Sequence, residues 1–326
     1  MININFEKMI IPELKDVKSY NGNYYQPGVD GKWFKYLLDY YYGSSIHAAI
    51  IQNLHRRLQE GYEDDPIFYR ISLDYLIFGG WSLQILWNLN HNGITKMIPV
   101  DFSNVRCGLQ DDYGNISLFY YSNDWEKYNN RKLEVLAPYD EAPHTDDNQC
   151  FYYRRYNPGQ EIYPKPYYFS GLKWIITDIQ LENYYANLVK NNFVANTILS
   201  VNSFMDEEAQ KGFEKELRRS FSGSENAGTM IVMYNENKES APEFVKFNND
   251  EDDLKYRWIS EKIIENIAIS HNIPASLLGV LVPGKLGNAT ELPTYEAIYD
   301  QYVVQPIKND IVSDYEKLKN KLVSNE

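Results

Sequence analysis

Residues 75–85 of this 326-residue chain read YLIFGGWSLQI, and they place a change of secondary structure at one glycine pair. Before the pair, Ile67 and Ile71 continue a helical spacing of apolar residues. After it, Leu83 and Ile85 alternate with polar residues, as in a strand. Glycine commonly ends helices because it accepts left-handed backbone torsions. The stretch therefore predicts a helix that runs directly into a small β-sheet.

Two further helical patterns precede this stretch, at 33–42 and 44–58. In the second, apolar residues up to Leu54 and Leu58 recur every third or fourth position, and a serine at its start is a suitable N-cap. Residues 1–32 carry several Gly, Pro and Asn residues without any apolar period. We therefore expect a loosely ordered arm followed by core-facing helices.

The segments after the glycine pair have strand periodicity and turn residues between them. Strands are predicted at 81–88 and 94–100, joined by a turn at His91-Asn92-Gly93, and again at 105–109 and 116–121. A fifth strand is predicted at 150–156, after a polar stretch that indicates a loop. Together they indicate a small antiparallel sheet.

The second half of the chain contains two long helical patterns, at 175–195 and 252–272. Between them, short strands and one helix predict an α/β insert over 197–249. A glycine-punctuated segment follows at 278–289. The last helical pattern starts near residue 290, and Pro306 should bend or break it.

Composition excludes several classes of protein. With 45 acidic and 32 basic residues, the net charge of −13 should repel nucleic acid and anionic membranes from the free chain. No apolar run approaches the roughly 18 residues that span a bilayer. The N-terminal residues lack the apolar centre of a secretory signal, and the two cysteines have no metal spacing. These features fit the cytosol, unless a particle carries the chain out.

The sequence contains none of the common catalytic motifs. Gly284-Lys285 lacks the strand and hydroxyl of a phosphate-binding loop. His47 and His55 lie eight residues apart on one predicted helix, but two ligands do not define a metal site. The acidic run 250–253 suits either the start of a helix, where carboxylates favour the dipole, or a divalent cation as in nucleases.

The order of elements resembles that of the tailed-phage portal protein family, from about Trp33 to the end of the chain. Residues 75–85 look like the family's stretch before its small sheet. Residues 267–279, IAISHNIPASLLG, are similar to the family's hydrophobic helix ending in "fgvP..llG". Neither string is a catalytic motif.

The resemblance implies a portal-like α+β fold, with an α-helical wing bearing a small antiparallel sheet, two long stem helices flanking an α/β clip, and a bent C-terminal helix. Its implied divisions are an arm at 1–32, the wing at 33–174, stem helices at 175–196 and 250–273, the clip at 197–249, a tunnel loop at 274–289 and the C-terminal wing helix at 290–326. The helical crown of larger relatives is expected to be reduced or absent.

The function implied by the resemblance is structural, with neither an enzymatic activity nor a cofactor. It is a ring of usually twelve subunits at one capsid vertex, through which double-stranded DNA passes without sequence-specific contacts. The implied partners are further copies of the chain, the terminase large subunit, the major capsid protein and the head–tail adaptor, without a membrane. The chain would then reside in the virion, and in the host cytoplasm during assembly. An acidic wall suits a conduit, because it does not retain DNA.

The resemblance also assigns candidate site residues. The part of the tunnel loop expected to face DNA is Leu281, Val282, Pro283, Gly284, Lys285, Leu286, Gly287 and Asn288. Lys255, Arg257 and Lys262 are candidates for the channel side of the second stem helix, with simple solvation as the alternative. Arg218 and Arg219 suit contact with the packaging motor, or serve as helix-end cations.

The 29 tyrosines suit protein interfaces, because their rings pack while their hydroxyls form hydrogen bonds. We expect Tyr168, Tyr184 and Tyr185 to contribute to subunit contacts. The stripe of Tyr295, Ile298 and Tyr302 is expected in the core.

Two other functions fit parts of the sequence. One is a metal-dependent phage nuclease that uses the carboxylates of residues 250–253. The other is a monomeric head–tail adaptor.

Overall fold

The computed structural model describes residues 14, 16–18, 22–125, 133–141, 148–190, 197–202, 208, 211, 212, 215, 230–235, 250–278 and 291–323. The chain divides into two compact units. One comprises Met1–Ile176 with Ile263–Glu326, and the other comprises Thr177–Lys262.

The described helices are α1 (Trp33–Gly43), α2 (Ser45–Leu58), α3 (Pro66–Phe78), α4 (Leu172–Lys190), α5 (Asp250–Ser270), α6 (Glu291–Tyr299) and α7 (Gln305–Lys319). The described strands are β1 (Asp16–Lys18), β2 (Tyr25–Pro27), β3 (Gly80–Trp87), β4 (Ile94–Val100), β5 (Val105–Cys107), β6 (Phe119–Tyr121), β7 (Glu134–Pro138), β8 (Asn148–Arg154), β9 (Thr197–Asn202) and β10 (Met230–Asn235).

The first helices begin and end as the sequence predicts. The Ser44 hydroxyl accepts the amide of His47 at 3.2 Å and caps α2. Asp65 caps α3, and its Oδ1 accepts the amides of Ile67 and Phe68, each at 3.1 Å. Gly79 ends α3 with a left-handed φ of 83°. The local signals at these helix ends agree with the tertiary structure.

The glycine pair is required by close packing as well as by backbone torsion. A Cβ atom on Gly79 would lie 2.7 Å from the carbonyl oxygen of Lys165. One on Gly80 would lie 2.5 Å from the Phe102 ring and 2.6 Å from the carbonyl oxygen of Tyr153. Helix α3 can therefore enter β3 at this point only because both residues lack side chains.

The main sheet of the first unit has six strands in the order β4-β3-β8-β7-β6-β5. The hairpin of β3 with β4 is confirmed, with β4 at the predicted residues, and β5 pairs antiparallel with β6. The expectation of a purely antiparallel sheet is wrong in one place, because β7 and β8 are parallel. Strand β7 has only five residues and a half-exposed Val135, so it shows little of the alternation that reveals a strand.

The predicted arm also contains regular structure. Strands β1 and β2 pair antiparallel, and Tyr24 lies buried with its ring 5.2 Å from the Trp125 ring. Strands of three residues are too short to give a periodic pattern. The prediction of a loosely ordered arm is therefore wrong for these residues.

Aromatic side chains fill the centre of the first unit. The Phe34 ring meets the rings of Phe78, Phe102 and Tyr163 edge-on, at centroid distances of 5.4, 5.4 and 5.6 Å. Such edge-to-face pairs are a favoured geometry of aromatic rings. The contacts join α1 to the end of α3 and to the turn before β5.

The C-terminal helix changes its hydrogen-bonding pattern instead of breaking at Pro306. Residues Asp300–Val304 form a π turn between α6 and α7, and Pro306 lies in the first turn of α7. The amide of Gln305 donates to the carbonyl oxygen of Asp300, five residues earlier, so the chain is still helical where Pro306 enters α7. Beyond α7, the backbone of Val323 pairs with Ile94 and so lengthens the sheet at β4.

The second unit contains the described residues of the predicted clip. Strands β9 and β10 pair in parallel, from Thr197 opposite Met230 to Asn202 opposite Asn235. Helix α4 leads into β9 in sequence, and α5 begins at Asp250. Most of the helix predicted within 197–249, and part of the short strands predicted there, lie outside the described residues. No described helix is both long and apolar enough to cross a bilayer.

Candidate functional site

The expected DNA-facing loop and the clip cations lie outside the described residues. This applies to the whole of 281–288 and to Arg218 and Arg219. The acidic run 250–253 occupies the first turn of α5, where carboxylates favour the helix dipole. Among the described residues, no group of three or more His, Cys, Asp or Glu side chains is arranged to hold a metal ion.

The three expected stem cations all belong to α5, in the second unit. Arg257 is exposed, and its Nε lies 3.5 Å from Oε1 of Glu261, one helical turn away. Lys262 is half-buried, and Lys255 lies within the same helix. Trp258, on the same helix, is 61% exposed. This part of α5 therefore presents an aromatic ring beside a surface ion pair.

The two histidines of α2 do not face a common ligand. Nδ1 of His47 lies 2.9 Å from Nε2 of His271. Nε2 of His55 instead lies 2.9 Å from the carbonyl oxygen of Tyr69. Burial lowers the pKa of His47 to about 3. Burial, with the nearby His47, also holds the pKa of His271 well below its usual value. Both imidazoles are therefore neutral, and one donates a hydrogen bond to the other.

A tyrosine extends this pair. The Tyr167 hydroxyl lies 2.7 Å from Nδ1 of His271, so its ring is joined through His271 to α2. The Tyr168 ring packs on both imidazoles, 4.4 Å from His47 and 5.2 Å from His271. This polar chain fixes the end of α5 against α2. The sequence showed no sign of it, because the three residues are distant in sequence and share no motif.

A cavity of about 510 Å³ lies next to these hydrogen-bonded residues, within the first unit. Its walls include Tyr167, which precedes α4, Asn272 from the turn after α5, and Arg155, which follows β8. Tyr299 and Tyr302 line it from the C-terminal helix. The π turn thus forms part of the wall. π turns inside α-helices occur frequently at functional sites.

One hydrogen bond crosses the cavity wall, from Tyr75 to Asp310. The Tyr75 hydroxyl donates to Oδ2 of Asp310 at 2.8 Å, and burial raises the pKa of Tyr75. Burial also raises the pKa of Tyr299 to about 12. Both hydroxyls therefore keep their protons at neutral pH.

Two expectations about apolar residues are wrong. Ile298 is 46% exposed and Tyr302 is 68% exposed, so neither belongs to the core of this chain. Tyr168, expected at a subunit interface, is fully buried, and its hydroxyl donates to the carbonyl oxygen of Ile77 at 2.8 Å. Helical spacing shows that Ile298 and Tyr302 share a face, but it does not show whether that face packs within one chain.

An ion-pair cluster anchors this face to α2. Arg57 contacts Glu296 Oε1 and Asp300 Oδ1, each at 2.8 Å. Its guanidinium also lies 5.7 Å from the centre of the Tyr299 ring. These contacts hold the start of the π turn against α2. The backbone that carries the exposed Ile298 and Tyr302 is therefore fixed in position.

Comparison with known proteins identifies the fold. No protein-family model and no curated protein matches the chain. Among solved structures, one similar chain belongs to the virion of a native gene transfer agent (GTA) particle, at 11% identity and a TM-score of 0.54, over 86% of this chain and 79% of that one.

Two further similar chains come from GTA necks. The first is from the neck of an empty particle computed with C6 symmetry, at 12% identity and a TM-score of 0.57. The second is from the neck of a native particle computed with C12 symmetry, at 11% identity and a TM-score of 0.56. Each match covers 89% of this chain and 81% of the other. The chain therefore shares its mixed helix-and-sheet fold with chains found in the neck of GTA particles.

Proposed function

We propose that this chain is a structural subunit of a phage-like head–tail connector, and specifically the portal protein that forms a ring at one capsid vertex. The observation that carries the proposal is the shared fold, over 89% of this chain, with chains of GTA necks computed with C12 and C6 symmetry. The order of elements, which resembles that of portal proteins, supports the same conclusion.

The exposed apolar residues support assembly into a ring. Monomeric proteins seldom expose large apolar side chains in groups, and such groups mark interaction surfaces. Here Ile298 and Tyr302 are exposed on the C-terminal helix, while Tyr185 and Trp258 are exposed on α4 and α5. A closed ring requires two complementary faces on each subunit, and aromatic side chains are common at such contacts.

The second unit supports the portal assignment. In the portal arrangement, two long helices flank an α/β clip. Helices α4 and α5, of 19 and 21 residues, flank the β9–β10 pair in sequence. In this proposal the pair belongs to the clip that contacts the packaging motor and later the head–tail adaptor. Residues 281–288 form the loop that faces the DNA.

The negative charge is consistent with a channel through which DNA slides. A net charge of −13 per subunit, repeated around a ring, would repel the phosphate backbone. DNA would therefore not be retained by the channel wall. The cations proposed near DNA are Lys285 in the loop and Lys255, Arg257 and Lys262 on α5. Each would touch phosphates without reading sequence.

The first experiment is to measure the mass of the purified native chain by mass photometry, with negative-stain images of the same sample. We expect a closed ring of about twelve chains with a central hole. A monomer at every concentration would contradict ring formation and favour a monomeric head–tail adaptor. That alternative also fits a neck fold, so the same measurement separates the two functions.

A further inference from the structure

The turn between β3 and β4 contains an asparagine directly before a glycine. Asn92 is exposed and Gly93 is buried. Asn88 closes the turn, because its amide donates to the carbonyl oxygen of Gly93 at 3.0 Å. A glycine has no side chain to hinder approach to its own amide nitrogen. The turn therefore places a side-chain amide beside an unhindered backbone nitrogen.

Two hydrogen bonds fix the orientation of the Asn92 side chain. The Asn92 amide donates to Oδ1 of Asn88 at 3.1 Å, which identifies the other atom of that side chain as the donor Nδ2. This Nδ2 donates at 2.6 Å to Oδ1 of Asn92. A donor aimed at a carbonyl oxygen stabilises the negative charge that develops there when its carbon is attacked. The turn thus activates Cγ of Asn92 toward a nucleophile.

The Gly93 nitrogen is the nucleophile nearest in sequence to this carbon. Its amide makes no hydrogen bond to a described residue. By contrast, the amide of His91 donates to the carbonyl oxygen of Asn88 at 2.9 Å. Loss of a proton from a donating amide also costs its hydrogen bond. Asn90, which precedes His91, should therefore be the less reactive asparagine of the same turn.

We propose that Asn92 is a site of spontaneous deamidation, with aspartate and isoaspartate as the products. The Gly93 nitrogen forms a bond to Cγ of Asn92, the Cγ–Nδ2 bond breaks, and ammonia leaves with the proton that the Gly93 amide loses. Water then opens the five-membered imide. Attack of water at Cγ gives aspartate, whereas attack at the main-chain carbonyl carbon gives isoaspartate, whose backbone is longer by one methylene. The reaction needs no co-reactant besides water.

The longer backbone of isoaspartate would arise at a tightly packed position. A Cβ atom on Gly93 would overlap Cγ2 of Val323. The next residue, Ile94, pairs with the C-terminal segment: its amide donates to the carbonyl oxygen of Lys321 at 2.8 Å, and its own carbonyl oxygen accepts the Val323 amide at 3.0 Å. Isoaspartate should therefore release this segment from β4. Because β4 is an edge strand, the release uncovers backbone groups that pair readily with another chain.

Mass spectrometry of the full chain, aged at mildly alkaline pH, tests the site. Trypsin leaves Asn90 and Asn92 on one peptide, residues 71–96, so each serves as a reference for the other. We expect deamidation at Asn92 to be at least about tenfold faster than at Asn90, because an intramolecular attack depends steeply on access and geometry. Asn92→Gln should remove the faster reaction. Equal rates at the two asparagines, or an Asn92 that reacts only after unfolding in urea, would overturn the site.

Hydrogen exchange tests the structural consequence. Anion exchange separates deamidated chains, which have gained a carboxylate, from unmodified ones. We expect the Val323 amide to exchange faster in the deamidated fraction than in wild type. Asn92→Asp is the matched control: it carries the charge without the longer backbone and should exchange as wild type does. Equal exchange in the deamidated fraction and in Asn92→Asp would overturn the release of the C-terminal segment. Neither measurement requires the chain to form rings, so both outcomes are independent of the proposed function.

Discussion

Nδ1 of His47 lies 2.9 Å from Nε2 of His271, although 224 residues separate them in sequence. Both rings are completely buried, and the neighbours packed on them are the uncharged rings of Tyr41, Tyr167 and Tyr168. A proton added to either ring would therefore be a buried charge facing a second imidazole. The pair stabilises the end of α5 only while both rings are neutral.

The pair predicts a loss of stability at mildly acidic pH. An unfolded histidine takes up a proton near pH 6.5, whereas folded His47 remains neutral down to about pH 3. Below pH 6.5 the unfolded state thus binds more protons, and the free energy of unfolding falls by up to about 1.4 kcal/mol per pH unit for each such histidine. Urea unfolding between pH 5.5 and 7.5 measures this slope.

His47→Gln should reduce that slope by about one proton, because one buried histidine is removed. His91→Asn is the control. It removes a histidine at the β3–β4 turn, where the φ of 52° suits asparagine. Equal slopes in wild type and His47→Gln would contradict the assignment of a neutral pair.

Asp65 joins the start of α3 to the C-terminal helix. It caps α3, while its Oδ2 accepts the Tyr315 hydroxyl at 2.7 Å and pairs with Lys319 at 3.0 Å. Burial opposes ionisation of Asp65, but the hydrogen bonds from Tyr315, Phe68 and Lys319 outweigh it and hold its pKa below the ordinary value.

Asp65→Ala should therefore lower the free energy of unfolding by about 2 kcal/mol, through loss of the cap and of the Tyr315 bond. The exposed neighbour Asp64 is the control, and Asp64→Ala should change the free energy of unfolding by less than about 0.5 kcal/mol. Chemical unfolding at pH 7 measures both. A similar effect of the two substitutions would show that the contacts of Asp65 contribute nothing to the free energy of unfolding.

Alanine substitutions at Gly79 and Gly61 distinguish the cost of backbone strain from the cost of a steric clash. Both have left-handed torsions, with φ of 83° and 80°. A Cβ on Gly61 would meet nothing within 4 Å, whereas one on Gly79 would lie 2.7 Å from the carbonyl oxygen of Lys165. Gly61→Ala should cost about 1 kcal/mol, from strain alone.

Gly79→Ala should cost at least about 2 kcal/mol more, because overpacking against a backbone atom is added to the strain. Thermal and urea unfolding of the two variants give the difference. Equal costs would mean that the segment containing Lys165 moves away freely.

The proposed tunnel loop can be tested by deletion of residues 284–287. If this segment faces the channel, the deletion should leave ring assembly unchanged but impair DNA packaging or retention. Mass photometry checks the ring, and the DNA content of purified particles checks packaging. A deletion variant that forms no rings would place the segment at a subunit contact instead.

The sequence predicted those parts of the fold that local patterns determine. The N-cap serine of α2, the glycine pair and the β3–β4 hairpin each depend on residues close in sequence. The parallel pairing of β7 with β8 and the short β1–β2 ribbon do not, because they are fixed by tertiary contacts.

The candidate site was harder to predict for the same reason. Helical spacing placed Ile298 and Tyr302 on one face, but only the packed structure shows that this face is exposed. The hydrogen-bonded residues Tyr167, His271 and His47 come from elements that are distant in sequence. No local sequence pattern predicts such tertiary contacts.

The contacts between α3 and α7 have a consequence for how the chain is made. Asp65 and Tyr315 are 250 residues apart, yet they belong to one packed cluster in which the ring of Phe68 meets that of Tyr315. At about 5–20 residues per second, a ribosome needs roughly 12–50 s to add that length. During this time the part of α3 that packs against α7 lacks that partner and is open to chaperones. Folding of the first unit is therefore completed only after residue 319 has left the ribosome.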